Sequence, residues 1–170
     1  MKEYDLNKLL RDKDLVDEKI KEFQAKGTLK TVKEDTYELQ GHLLKADHNL
    51  RFVSENMRMG FNDWAITGCY YACYHAALAL ILTKGYFSKN HLATLCVLIK
   101  EFYKNGLNQE DIQILSQLLD YQDVLFYVES KNKREDATYS TKLKFDKSEV
   151  EVLRIKAALF VSKIKSMINV

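Results

Sequence analysis

The stretch from Trp64 to Leu82 contains no Asp, Glu, Lys or Arg, and its nearest charges are Asp63 and Lys84. As a helix it is about 29 Å long, apolar or small nearly all round, and it must be surrounded by apolar material. That leaves a membrane or the centre of a helical bundle. Tyr70, Tyr71, Tyr74, His75 and Thr67 are poor lipid-facing residues. Ala65, Cys69, Ala72, Ala76 and Ala79 form a stripe that lets a neighbouring helix approach closely. The rest of the chain supplies amphipathic partners. The expectation is therefore the central helix of a soluble bundle, with no membrane span.

Those partners read off the hydrophobic period. Residues 4–26 carry Leu6, Leu9, Leu10, Val16, Ile20 and Phe23 among charges, as one helix or as two broken near Asp12–Asp14. Thr31-Val-Lys-Glu34 reads as a capping box opening a second helix of about 28 residues, ending at Met59, with Leu39, Leu43, Ala46, Leu50, Val53 and Met57 on one face. Gly60-Phe-Asn-Asp63 is a tight link with Asn62 or Asp63 as cap, so the second and third helices are antiparallel neighbours. Leu92–Tyr103 is a shorter helix closed by Gly106. Asn108 caps the next, with Asp111 in its first turn, and this helix fades near Glu129. Asp146-Lys-Ser-Glu149 opens the last. The chain has no proline to break these helices, and no strand pattern of useful length appears. The predicted fold class is all-α, an antiparallel up-and-down bundle of about five to six helices in a single domain over residues 1–170.

Composition narrows the chemistry. Net charge is +2, but residues 131–170 hold 10 basic and 5 acidic side chains. A basic end can meet phosphate, although a solvated lysine-rich surface explains it as well. Three cysteines, Cys69, Cys73 and Cys96, make no disulfide framework, and no second ligand pair completes a metal site around them. They read as buried small hydrophobes suited to a reducing cytoplasm, with no metal and no cofactor implied. No glycine-rich phosphate loop, zincin motif or nucleophile elbow is present. His42, His48, His75 and His91 are each isolated in sequence, and His75 reads as a core histidine. One cluster stands out in the long charged connection over residues 131–145, namely Arg134-Glu-Asp-Ala-Thr-Tyr139. An arginine fork with Asp136 and the Tyr139 phenol can bind phosphate or a partner's polar groups, or it can simply pin the bundle.

Cys69-Tyr-Tyr-Ala-Cys-Tyr-His75, Lys84-Gly85, Ser88-Lys-Asn-His91 and Arg134-x-x-Ala-x-Tyr139 occur in that order. Together they resemble the HEPN domains, closest to the small prokaryotic HEPN proteins. The resemblance covers about residues 35–140, with the first and last helices packed on that core. It implies a helical bundle that forms homodimers, a link to nucleotides or RNA, and often a minimal nucleotidyltransferase partner in a toxin–antitoxin pair. It points to Arg134, Asp136, Tyr139 and His91 as the nucleotide-, phosphate- or partner-binding residues. Catalytic members carry Arg and His separated by four to six residues. None of Arg11, Arg51, Arg58, Arg134 and Arg154 has a His at that spacing, and Arg134 is followed five positions on by Tyr139. A phenol titrating near pH 10 is a poor base at neutral pH. The expectation is a non-catalytic binding protein. The alternatives are a divergent metal-independent ribonuclease using Arg134 with Tyr139 or His91, and a structural interaction module.

Overall fold

The computed structural model describes residues 5–132 and 146–168, and the side chains of all these except 121–132. Its elements are α1 (Leu6–Arg11), α2 (Lys13–Ala25), β1 (Leu29–Thr31), α3 (Thr36–Met59), α4 (Asn62–Leu82), β2 (Tyr86–Ser88), α5 (His91–Phe102), α6 (Gln109–Asn132) and α7 (Lys147–Ile168). Seven helices among the described residues make an all-α bundle.

The charge-free segment is α4, at the centre. It packs on α3, α5, α6 and α7. Ala65, Cys69, Ala72, Cys73, Ala76, Ala77 and Ala79 are fully covered. Small side chains here let four helices close on one. Among the described residues α4 alone is long and apolar enough to cross a membrane, yet 83% of its most apolar window is buried within the bundle. Most of its surface is thus already occupied by protein.

α3 and α4 form the principal hairpin. Gly60, with φ 84°, takes the left-handed conformation that ends α3, and the Phe61 N–H reaches back to the Asn56 carbonyl at 2.9 Å. The two helices then run side by side past Gly68. A methyl group there would sit 2.7 Å from Val53 Cγ2 and 3.0 Å from Phe52 Cδ1. Glycine is what permits this approach. α7 lies across both, tied to α3 by Lys165 and Asp47 at 2.5 Å. Lys163 ties α7 to Asp111 in the first turn of α6 at 2.5 Å.

Several boundaries differ from the sequence expectation, each for a physical reason. α3 starts at Thr36, not Thr31. Asp35 caps it, accepting from Tyr37 N–H at 3.0 Å and Glu38 N–H at 3.1 Å. Thr31 belongs instead to a short antiparallel ladder in which Leu29, Lys30 and Thr31 face Ser88, Phe87 and Tyr86. Gly85 makes the ladder possible, because a Cβ there would meet the Val32 carbonyl at 2.9 Å. With 24 residues against 21 in α4, α3 is longer by only about 5 Å. α4 begins at Asn62, with Phe61 in the cap position and no side-chain cap. Asp12 both ends α1 and caps α2, its carboxylate accepting from Leu15 N–H at 2.9 Å. Asn108 and Asp111 cap α6 reciprocally, at 2.7 and 3.0 Å.

Candidate functional site

Of the residues singled out from sequence, Arg134, Asp136 and Tyr139 lie outside the described residues. His91 is described, and its setting is well defined. The segment Ser88-Lys-Asn-His91 is a capping structure. Ser88 Oγ–H donates to the Asn90 carbonyl at 2.8 Å, and Asn90 Oδ1 accepts from Ala93 N–H at 2.9 Å. Thr94 Oγ–H donates to the Asn90 carbonyl at 3.0 Å. These bonds fix the first turn of α5, and His91 is its first residue. The imidazole is turned toward α4, where the Tyr70 hydroxyl meets Nδ1 at 2.5 Å. The Tyr74 ring lies 4.7 Å away, centroid to centroid. Tyr70 is buried, and burial raises the Tyr74 phenol above its usual range while a bond to Thr94 partly opposes this. His91 thereby joins the tyrosine-rich face of α4 to α5. One ring nitrogen is committed to a phenol, which suits an orienting role better than an open acid–base role.

A second pair was not foreseen. His42 on α3 and His75 on α4 meet Nδ1 to Nδ1 at 2.9 Å. Their centroids are 5.2 Å apart, which is the bond plus the two ring radii, so the nitrogens point directly at each other. Such a contact requires one donor and one acceptor. Burial lowers the pKa of both rings, with His75 falling to about 4 from 6.5, so both are neutral at neutral pH. His42 Nε2 faces Glu38 Oε1 at 3.7 Å, which favours the proton on that nitrogen. His42 Nδ1 is then the acceptor and His75 Nδ1 the donor, an assignment made from the network. The pairing follows from the register of the two helices at Gly68. The Asn49 carbonyl lies 3.5 Å from a Cβ placed on Gly68, and seven residues further along each antiparallel helix stand His42 and His75.

The arrangement offers little to a metal. Among the described residues no group of three or more His, Cys, Asp or Glu could hold one. The thiols are inert, because burial raises Cys69 and Cys96 to about 12 and Cys73 well above the usual range.

Comparison with known proteins agrees with the architecture. The family model described as HEPN domain matches residues 39–165, from α3 through most of α7. A protein of Methanocaldococcus jannaschii named "Putative toxin MJ0142" is 31% identical over 129 residues, covering 75% of this chain and 80% of the relative. A protein of Archaeoglobus fulgidus named "UPF0332 protein" is 26% identical over 132 residues, covering 78% of this chain and 96% of the relative.

Proposed function

Since the chain belongs to the HEPN domain family, we propose that it is the non-catalytic binding component of a toxin–antitoxin-type pair. In this reading the chain self-associates and holds a phosphate-bearing ligand, a nucleotide or RNA, through Arg134 with Asp136 and Tyr139. A minimal nucleotidyltransferase is the partner.

The observation that carries the reading is the sequence Arg134-Glu-Asp-Ala-Thr-Tyr139, which supplies a guanidinium fork and a phenol, while every arginine lacks a histidine four to six residues on. The surroundings of the histidines support it. His42 and His75 are bonded to one another, and His91 Nδ1 is bonded to Tyr70. The ribonuclease alternative needs a base beside Arg134. Tyr139 would have to lose a proton near pH 10, and His91 has its Nδ1 engaged by the Tyr70 phenol. The relative named as a toxin supports the kind of system.

The test is a titration of fluorescein-labelled single-stranded RNA, and separately of ATP, with wild type and Arg134→Ala. Saturable binding that weakens with salt, and is lost in Arg134→Ala at unchanged melting temperature, is expected. Arg134→Lys should recover only part, since lysine lacks the two-pronged planar donor. Cleavage of the RNA by wild type but not by Arg134→Ala would transfer the assignment to the ribonuclease reading. A change in stability with no binding by the wild type would leave residues 131–145 a structural strap.

A further inference from the structure

Two adjoining cavities open where α1 and the start of α2 face the turn between α5 and α6. Their volumes are about 410 Å³ and 260 Å³, and Leu10, Arg11, Tyr103 and Lys104 line both. Lys13 and Lys100 line the smaller one, so the combined wall holds four cations and no carboxylate. Like charges gathered in a concave site raise the local concentration of the opposite ion. Two neighbouring acids are committed elsewhere. Asp17 pairs with Lys100 at 2.7 Å, and Asp12 caps α2 through the Leu15 N–H. Among the described residues no ion pair engages Arg11, Lys13 or Lys104.

Two of these cations sit where the local backbone disfavours them. Lys13 is the first residue of α2, at the positive end of the helix dipole. Lys104 has φ 63°, and among the described residues it is the only non-glycine in the left-handed region. Asparagine and glycine, which tolerate that conformation better, follow at 105 and 106. The dipoles of α1 and α5 account for the charge of Arg11 and Lys100, each in a last turn. They do not account for Lys13, nor for a left-handed lysine. A local cost borne twice, on side chains that line one cavity, marks a place shaped for a ligand. The turn that carries Lys104 is held on both sides. Lys104 N–H donates to the Leu107 carbonyl at 2.8 Å, Leu107 N–H donates to the Phe102 carbonyl at 3.0 Å, and Gly106 packs on Met167 of α7.

We propose that this groove binds a small molecule carrying two adjacent phosphates, an inorganic or organic diphosphate. The Arg11 guanidinium takes two oxygens of one phosphate in its planar fork, and the Lys13 and Lys104 ammoniums neutralise the rest. A lone phosphate carries about two negative charges, too few for three unpaired cations, and a second phosphate makes up the difference. α1 and α2 precede residue 39, where the family match begins, so one wall of the groove lies outside the matched domain. The proposal does not depend on Arg134.

Isothermal titration calorimetry of the full chain in magnesium-free buffer, with inorganic phosphate, pyrophosphate and ADP in turn, tests it. Saturable pyrophosphate binding is expected, at least tenfold tighter than phosphate and weakened by added salt. ADP binding tighter than pyrophosphate would assign the groove to an organic diphosphate, and weaker ADP binding to the inorganic ion. Lys13→Ala and Lys104→Gly should each weaken pyrophosphate binding at least tenfold. Lys104→Gly also relieves the left-handed lysine, so its melting temperature should not fall, and its loss of binding cannot be put down to misfolding. Arg134→Ala should bind pyrophosphate as the wild type does, which keeps the two phosphate readings apart. ATP carries the same group, so its dependence on Arg134 is read on the Lys104→Gly background. No saturable pyrophosphate binding by the wild type, or binding unaltered in both Lys13→Ala and Lys104→Gly, would overturn the inference. So would variants that lose single-stranded RNA and keep pyrophosphate, since the groove would then be an RNA track.

Discussion

Gly41 in α3 and Gly68 in α4 are the glycines inside helices, and substituting each by alanine isolates the close approach of α3 and α4 at Gly68. A methyl group at Gly41 meets nothing within 4 Å. The change gains helix propensity and removes freedom from the unfolded chain, so Gly41→Ala should stabilise by about 0.5–1 kcal/mol. At Gly68 the same gain is opposed, because the methyl would lie 2.7 Å from Val53 Cγ2 and 3.0 Å from Phe52 Cδ1. Phe52 is partly exposed and can turn away. Val53 is fully buried and β-branched in a helix, with essentially one rotamer to occupy. Overpacking of this kind costs about 1–3 kcal/mol. Gly68→Ala should therefore be neutral to about 2 kcal/mol less stable than wild type. The gap between the two variants, about 1–3 kcal/mol, is the steric cost alone. In a chain of this size it corresponds to about 3–10 °C in melting temperature. Urea and thermal unfolding followed by circular dichroism, at one protein concentration, measure it. Equal stabilisation by both substitutions would mean that α3 and α4 do not approach closely at Gly68, and the hairpin geometry would be wrong.

The buried histidine pair makes stability depend on acid. The pKa of His75 falls to about 4 when folded, chiefly by burial and then by the neighbouring His42 and Lys45, against 6.5 in the open chain. Its contribution is fully present above pH 6.5 and is lost as pH falls toward 4, where the unfolded chain binds the proton first. About 2 kcal/mol should go over that window after allowance for partial exposure, and His75→Gln should flatten the slope between pH 6.5 and 4; an unaltered slope would place the titration elsewhere. The thiols of Cys69, Cys73 and Cys96 should resist Ellman's reagent in the folded protein and react in urea, and rapid reaction of the native chain would contradict their burial.

The central helix was legible from sequence because a charge-free run of 19 residues has few physical solutions, and one-sided periodicity in its neighbours chose between them. The Asn108–Asp111 cap was legible because its bonds close within four residues. What failed depends on distant partners. Thr31-Val-Lys-Glu34 satisfies the capping pattern, but Thr31 pairs with Tyr86, and that ladder overrides the local preference. His42 and His75 looked isolated because their meeting depends on the register of α3 against α4, which Gly68 sets. In the candidate site, the sequence placed His91 at a helix start but could not show Tyr70 beside it, since a buried phenol and a core tyrosine look alike in one dimension. Arg134, Asp136 and Tyr139 were found by motif order, and they lie outside the described residues.

The central claim is that Arg134 binds phosphate and does not cleave. One measurement addresses both halves. Fluorescein-labelled single-stranded RNA is titrated with wild type and Arg134→Ala while anisotropy is recorded, and the same samples are then run on a denaturing gel. The account predicts saturable, salt-weakened binding by wild type, at least tenfold weaker binding by Arg134→Ala, and full-length RNA in every lane. Shortened RNA in the wild-type lanes, or equal anisotropy curves for the two proteins, would contradict it.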